Sequence, residues 1–114
     1  MIAGGQNRCV LVTCGSLKEA RRIARAVVTK RLAACANIVL SRVESIYRWK
    51  GKVERAREFL MIIKTNSKRL PALEREVKRL HSYDVPEFIA LPIAAGSSDY
   101  LRWLQESVSH RNVR

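Results

Sequence analysis

Phe59-Leu-Met-Ile-Ile63 sets five apolar side chains in a row near the end of a long extended stretch. Successive side chains of a strand point to opposite faces, so this segment must carry apolar groups on both sides of its sheet. Helices packed on one side can cover half of them. A chain of 114 residues is one domain with a modest core, and it has no second layer to spare for the other side. Further copies of the same chain are the simplest cover, so a homo-oligomer is expected.

The remaining pattern supplies the order around that strand. Cys9 to Cys14 is a β-branched apolar run closed by Gly15, read as a buried first strand. Ser16-Leu-Lys-Glu19 has the form of a capping box, with Glu19 reaching back to Ser16. Ala20, Ile23, Ala24, Val27 and Val28 then form one helical stripe that ends near Arg31. Ala34 to Val39 is extended, and Arg42 to Trp49 alternates, with Val43, Ser45, Tyr47 and Trp49 on one face. Lys50-Gly51-Lys52 turns the chain into a long returning strand, Val53 to Thr65. Ser67 caps a second helix with Pro71 in its first turn and Leu70, Leu73, Val77 and Leu80 inward. Phe88 to Ile93 is a fourth strand, at an edge because of Pro92, and a short last helix buries Leu101, Leu104 and Val108. The fold class is α+β. Its βαββαβ order is that of a ferredoxin-like antiparallel sheet with helices on one face, plus a short C-terminal helix. One domain spans residues 8–108, and 1–7 and 109–114 are expected to be flexible termini.

Three cysteines, Cys9, Cys14 and Cys35, and no apolar leader before Arg8 argue against a secreted disulfide scaffold and favour the cytoplasm. No apolar run approaches the roughly eighteen residues that span a bilayer, so no membrane partner is expected. The formal charge is +12, and 15 of the 22 basic residues are Arg. That balance attracts anions. Arg21, Arg22 and Arg25 on one helix and Arg75, Lys78 and Arg79 on the other offer weak polyanion or RNA binding as an alternative function. The first strand lacks the aromatics with which RRM-type sheets stack bases, so sequence-specific reading is not expected.

Five stretches carry a family resemblance: Arg31-Leu-Ala-Ala-Cys-Ala-Asn37, Ser45-Ile-Tyr-Arg-Trp-Lys-Gly-Lys52, Ile62-Ile-Lys-Thr65, Leu80-His-Ser-Tyr-Asp-Val-Pro-Glu87 and Asp99-Tyr-Leu-Arg-Trp-Leu104. In that order and spacing they resemble the CutA divalent-cation tolerance proteins, over about Cys9 to Val108. The resemblance implies a cytosolic trimer of ferredoxin-like subunits, similar in architecture to the PII signal-transduction proteins. It also implies a link to tolerance of divalent metals, copper above all, with no established catalysis; no cofactor is expected to be required for folding. Copper binding in that family is attributed to a first-strand cysteine and two adjacent histidines. The matching positions here are Val12, Leu80 and His81, so one of the three is present.

Two constellations follow. His81, Cys35 and Cys14 are the candidate ligands for copper or another divalent cation, since imidazole and thiolate suit such ions. No close-spaced ligand pair exists, and His81 read alone is equally a helix-end residue favoured by the macrodipole. The resemblance places Cys35, Tyr47, Trp49, Glu58, Lys64, Tyr83 and Glu87 around clefts between subunits. Lys64 ends an apolar strand and needs a partner, for which Glu58 or Glu87 is the natural carboxylate. Such a pocket suits a small anionic ligand; the same residues equally make an ion pair and aromatic packing that fix a trimer. A Cys35–His81 catalytic dyad has no motif that builds an oxyanion hole, and the five glycines form no phosphate loop, so an enzyme is not expected.

Overall fold

The structure, a computed structural model, describes residues 1–109. The chain runs β1 (Ile2–Ala3), β2 (Asn7–Cys14), α1 (Leu17–Thr29), β3 (Cys35–Ile38), β4 (Val43–Trp49), β5 (Lys52–Asn66), a 3-10 turn (Ser67–Arg69), α2 (Leu70–Leu80), β6 (Ile89–Pro92), β7 (Ala95–Gly96) and α3 (Ser98–Ser107). The main sheet has the order β3-β5-β2-β6, with every pair antiparallel, which is the ferredoxin-like arrangement. No helix among the described residues is long and apolar enough to cross a membrane.

β5 is the spine. Its second half pairs with β2 on one side and β3 on the other, while its first half pairs only with β4. β4 and the start of β5 therefore leave the sheet as a hairpin. Its two-residue turn faces Trp49 with Lys52, and Lys50 and Gly51 have φ of 50° and 79°. That is the type I′ pattern, whose twist suits paired strands.

On the helix side, Val10, Val12 and Cys14 of β2 and Met61 and Ile63 of β5 meet Ala20, Ile23 and Val27 of α1 and Leu73 and Val77 of α2. Ser16 caps α1 by accepting from the Glu19 N–H at 3.1 Å, and Arg31, at φ 58°, turns the chain away just past its end. Asn66, not Ser67, caps the turn into α2, accepting from the Arg69 N–H at 3.1 Å. Leu101, Leu104 and Val108 of α3 form a second cluster with Ala34 and Ile93.

The register shows what faces the other way. Leu11, Ile62 and Ile89 form one cross-strand row, and Cys9, Lys64, Cys35 and Leu91 the next. Tyr100 of α3 reaches the second row, its hydroxyl 3.6 Å from Cys35 Sγ. Ile89 and Leu91 stay 47% and 43% exposed, so the helix-free face is apolar and only partly covered within one chain.

Within residues 1–7, the expected flexible end, two residues form a short strand. Ile2 and Ala3 pair with Gly96 and Ala95, and the Gly4 N–H donates to Ala94 O at 2.9 Å. The approach is so close that a Cβ on Gly4 would lie 1.5 Å from Ile93 O, so only glycine fits. Of the expected C-terminal tail, residues 110–114 lie outside the described residues.

Candidate functional site

Cys14 ends β2 and His81 caps the end of α2, so the fold brings a strand end and a helix end together. His81 Nε2 lies 2.8 Å from Thr13 O, and its Nδ1 accepts the Tyr83 N–H at 3.1 Å. With the Tyr83 N–H donating to Nδ1, Nε2 is the ring nitrogen that carries a proton toward Thr13 O. Glu19 Oε2 stands 3.2 Å from Nδ1 and accepts the Ser82 N–H at 3.3 Å. Only half of the expected capping box therefore forms: Glu19 turns its carboxylate across to the end of α2. Cys14 Sγ is 3.7 Å from Nε2 and 3.7 Å from Met61 Sδ. Burial, reinforced by the charges of Glu19 and Glu58, pushes the Cys14 thiol up to about 12. One donor atom from each of Cys14, Glu19 and His81 lies within 4.8 Å of the others.

Tyr83 separates this cluster from a cleft. Its ring packs on His81 with centroids 4.6 Å apart, and its hydroxyl donates to Glu58 Oε2 at 2.8 Å. The cleft, of about 580 Å³, lies where the hairpin leaves the sheet. Its walls are Thr13 from β2, Ser45 to Tyr47 and Trp49 from β4, Glu58 from β5, and Tyr83 to Val85 with Glu87 from the loop before β6. Alternation explains Ser45, Tyr47 and Trp49, which share a face with Val43, the partner of Glu58, whereas Ile46 belongs to the other face of the hairpin. Glu58 is only 7% exposed. Burial first, and then the Glu58 charge, raises the Glu87 carboxyl above its ordinary value; burial and the bond to Glu58 raise the Tyr83 hydroxyl.

The two constellations expected from sequence are thus redistributed. His81 and Cys14 meet, but Cys35 stands opposite Lys64 on the helix-free face, whereas Cys14 points into the core beneath the helices. Cys35 therefore does not join the other two. Tyr47, Trp49, Glu58, Tyr83 and Glu87 line one cleft, while Lys64 and Cys35 are absent from it. Lys64 is six residues from Glu58 along an extended strand, roughly 20 Å, and donates to Asn37 Oδ1 rather than to a carboxylate. The lining that one chain gives this cleft includes Glu58, Asp84 and Glu87 and no Lys, Arg or His. Sequence reading missed Glu19 as part of the cluster because a capping role absorbed it. It also missed Asp84, although Asp84 lies inside the Tyr83-to-Glu87 motif.

The chain is similar over residues 8–107 to the family described as CutA1 divalent ion tolerance protein. It is 51% identical over 98 residues to the divalent-cation tolerance protein CutA of Thermus thermophilus, covering 86% of this chain and 94% of that protein. Protein CutA of mouse is 50% identical over 109 residues, 93% of this chain, but the match spans only 61% of the mouse protein's length. Among solved structures, that of the Thermus thermophilus divalent cation tolerance protein superposes with a TM-score of 0.88 at 48% identity, covering 90% of this chain and 99% of that one. That of the periplasmic divalent cation tolerance protein CutA of Archaeoglobus fulgidus gives 0.86 at 42% identity, with 90% and 99% covered.

Proposed function

Because the chain belongs to the CutA1 divalent ion tolerance family, we propose that it serves divalent-cation tolerance by binding copper without catalysis, as a cytoplasmic homotrimer. The observation that carries the metal reading is the meeting of Cys14, Glu19 and His81 within 4.8 Å.

The donor set fits a soft or borderline ion. Cys14 Sγ and His81 Nε2 face each other, and Glu19 lies beyond the ring at Nδ1. Moving the ring proton from Nε2 to Nδ1 frees Nε2 as a ligand and points the new N–H at Glu19, the carboxylate–histidine pairing that orients metal-bound imidazoles. That shift gives up the bonds to Thr13 O and from the Tyr83 N–H, so the loop at Tyr83 must adjust. The bound ion takes the place of the Cys14 proton, and affinity rises with pH. The core is closed by apolar packing around this point, so folding does not depend on the ion.

Support for the trimer is the half-covered helix-free face together with the hairpin, where Ile46 and Val53 are 69% and 66% exposed. Three free thiols suit a reducing compartment. Anaerobic calorimetry with Cu(I) and Cu(II), beside light scattering after gel filtration, tests both parts. Copper binding lost in Cys14→Ser and His81→Ala but kept in Cys35→Ser is the expected result. Unchanged binding in the first two variants overturns the metal assignment, and a monomer at micromolar concentration overturns the trimer.

A second reading has one observation in its favour: α1 packs against α2, so the exposed Arg21, Arg25 and Arg75 lie on one helical layer. Weak polyanion binding there would fall steeply with added salt; retention on heparin that ignores salt excludes it.

A further inference from the structure

We propose that the cleft beside the hairpin binds a small organic cation, an amine or quaternary ammonium with an apolar body. The cleft belongs to a chain of net charge +12, yet Glu58, Asp84 and Glu87 line it and no Lys, Arg or His does. Glu58 is more than nine-tenths buried, and its one bond among the described residues, from the neutral Tyr83 hydroxyl, does not cancel its charge. Among the described residues no ion pair reaches it. A buried carboxylate without a counter-charge is costly, and a cation seated beside it recovers that cost.

The walls select the kind of cation. Tyr47, Trp49 and Tyr83 present aromatic surface, which attracts ammonium groups and packs on their apolar parts. The Lys50 ammonium stands 5.9 Å from the Trp49 ring centroid, so this ring already takes one such contact within the chain. A bare metal ion is served less well. Its ligands must converge, and the one convergent group among the described residues is Cys14, Glu19 and His81, not these three carboxylates. The volume of about 580 Å³ falls within the range of small-molecule sites.

This inference goes beyond cation tolerance, and its test separates the two. The full-length protein is titrated by calorimetry with benzyltrimethylammonium, and with benzyl alcohol and benzoate as neutral and anionic counterparts. The ammonium should bind, and both counterparts should bind at least roughly tenfold more weakly. Glu58→Gln keeps the shape and an acceptor for Tyr83, and it should lose the ammonium by a similar factor while its light-scattering mass stays as in the parent. Trp49→Leu should weaken the ammonium several-fold, and Lys64→Ala, on the distant row, should not change it. Equal binding of the ammonium and benzyl alcohol, or undiminished binding by a folded Glu58→Gln, overturns the proposal.

Discussion

The Tyr83 hydroxyl donates a 2.8 Å hydrogen bond to Glu58 Oε2, and the same ring packs on His81. One side chain thus joins a strand carboxylate to the helix-end imidazole, and it forms the wall between the cleft and the Cys14 cluster.

Tyr83→Phe keeps the ring and removes the donor, leaving a nearly buried carboxylate without its hydrogen bond. Since Tyr83 itself is partly exposed, the expected loss is about 1–2 kcal/mol. Thermal midpoints at fixed protein concentration measure it, because an oligomer's midpoint depends on concentration. Adding Glu58→Gln to Tyr83→Phe should cost less than the sum of the two single changes. Strict additivity would mean that the bond contributes nothing.

Cys14 should behave as an inert thiol. Its value rises from 9.0 to about 12 on burial, which cuts the thiolate at pH 8 by about a thousandfold, and the thiolate is the nucleophile. Iodoacetamide followed by peptide mass analysis should find Cys14 unmodified in the native protein and alkylated in urea. Equal rates in the two states would show that the strand end is open. Copper bound at this thiol should release a proton, visible as a buffer-dependent binding heat.

The fold was largely legible because each element announces itself by period. The stripe at Ala20, Ile23 and Val27 and the alternation at Ser45, Tyr47 and Trp49 need no tertiary information. The doubly apolar run at Phe59 to Ile63 does lie on the spine strand, with Leu60 and Ile62 on the helix-free side. Site geometry was less legible. Lys64 and Glu58 share a strand and an apolar setting, but six residues of extended chain keep them apart, and nothing local in the sequence encodes what sits across the sheet. Cys35 and Cys14 are alike as residue types, yet register sends them to opposite faces. Glu19 shows the reverse case: its spacing from Ser16 favours a local bond, and the end of α2 outcompetes it. The pairing of Ile2 and Ala3 depends on Ala95 and Gly96, far away in sequence.

Glu76 on α2 makes the pH dependence specific. Its carboxylate accepts from Lys30 Nζ at 3.0 Å and from both Nε and Nη2 of Arg79 at 3.1 and 2.8 Å. Arg79 first, and Lys30 second, hold it at about 2, below its ordinary 4.5. A carboxyl lowered by folding stabilises the fold fully above its unfolded value, and that contribution drains away as protons bind between 4.5 and about 2. Glu76→Gln should therefore lower the thermal midpoint by a constant amount from pH 6 to 8. The gap to the parent should narrow steadily below pH 4.5 and close near pH 2. The other carboxyls titrate in both proteins and cancel in the difference. A gap that stays constant down to pH 2 would mean that Glu76 acts through packing and not through its charge.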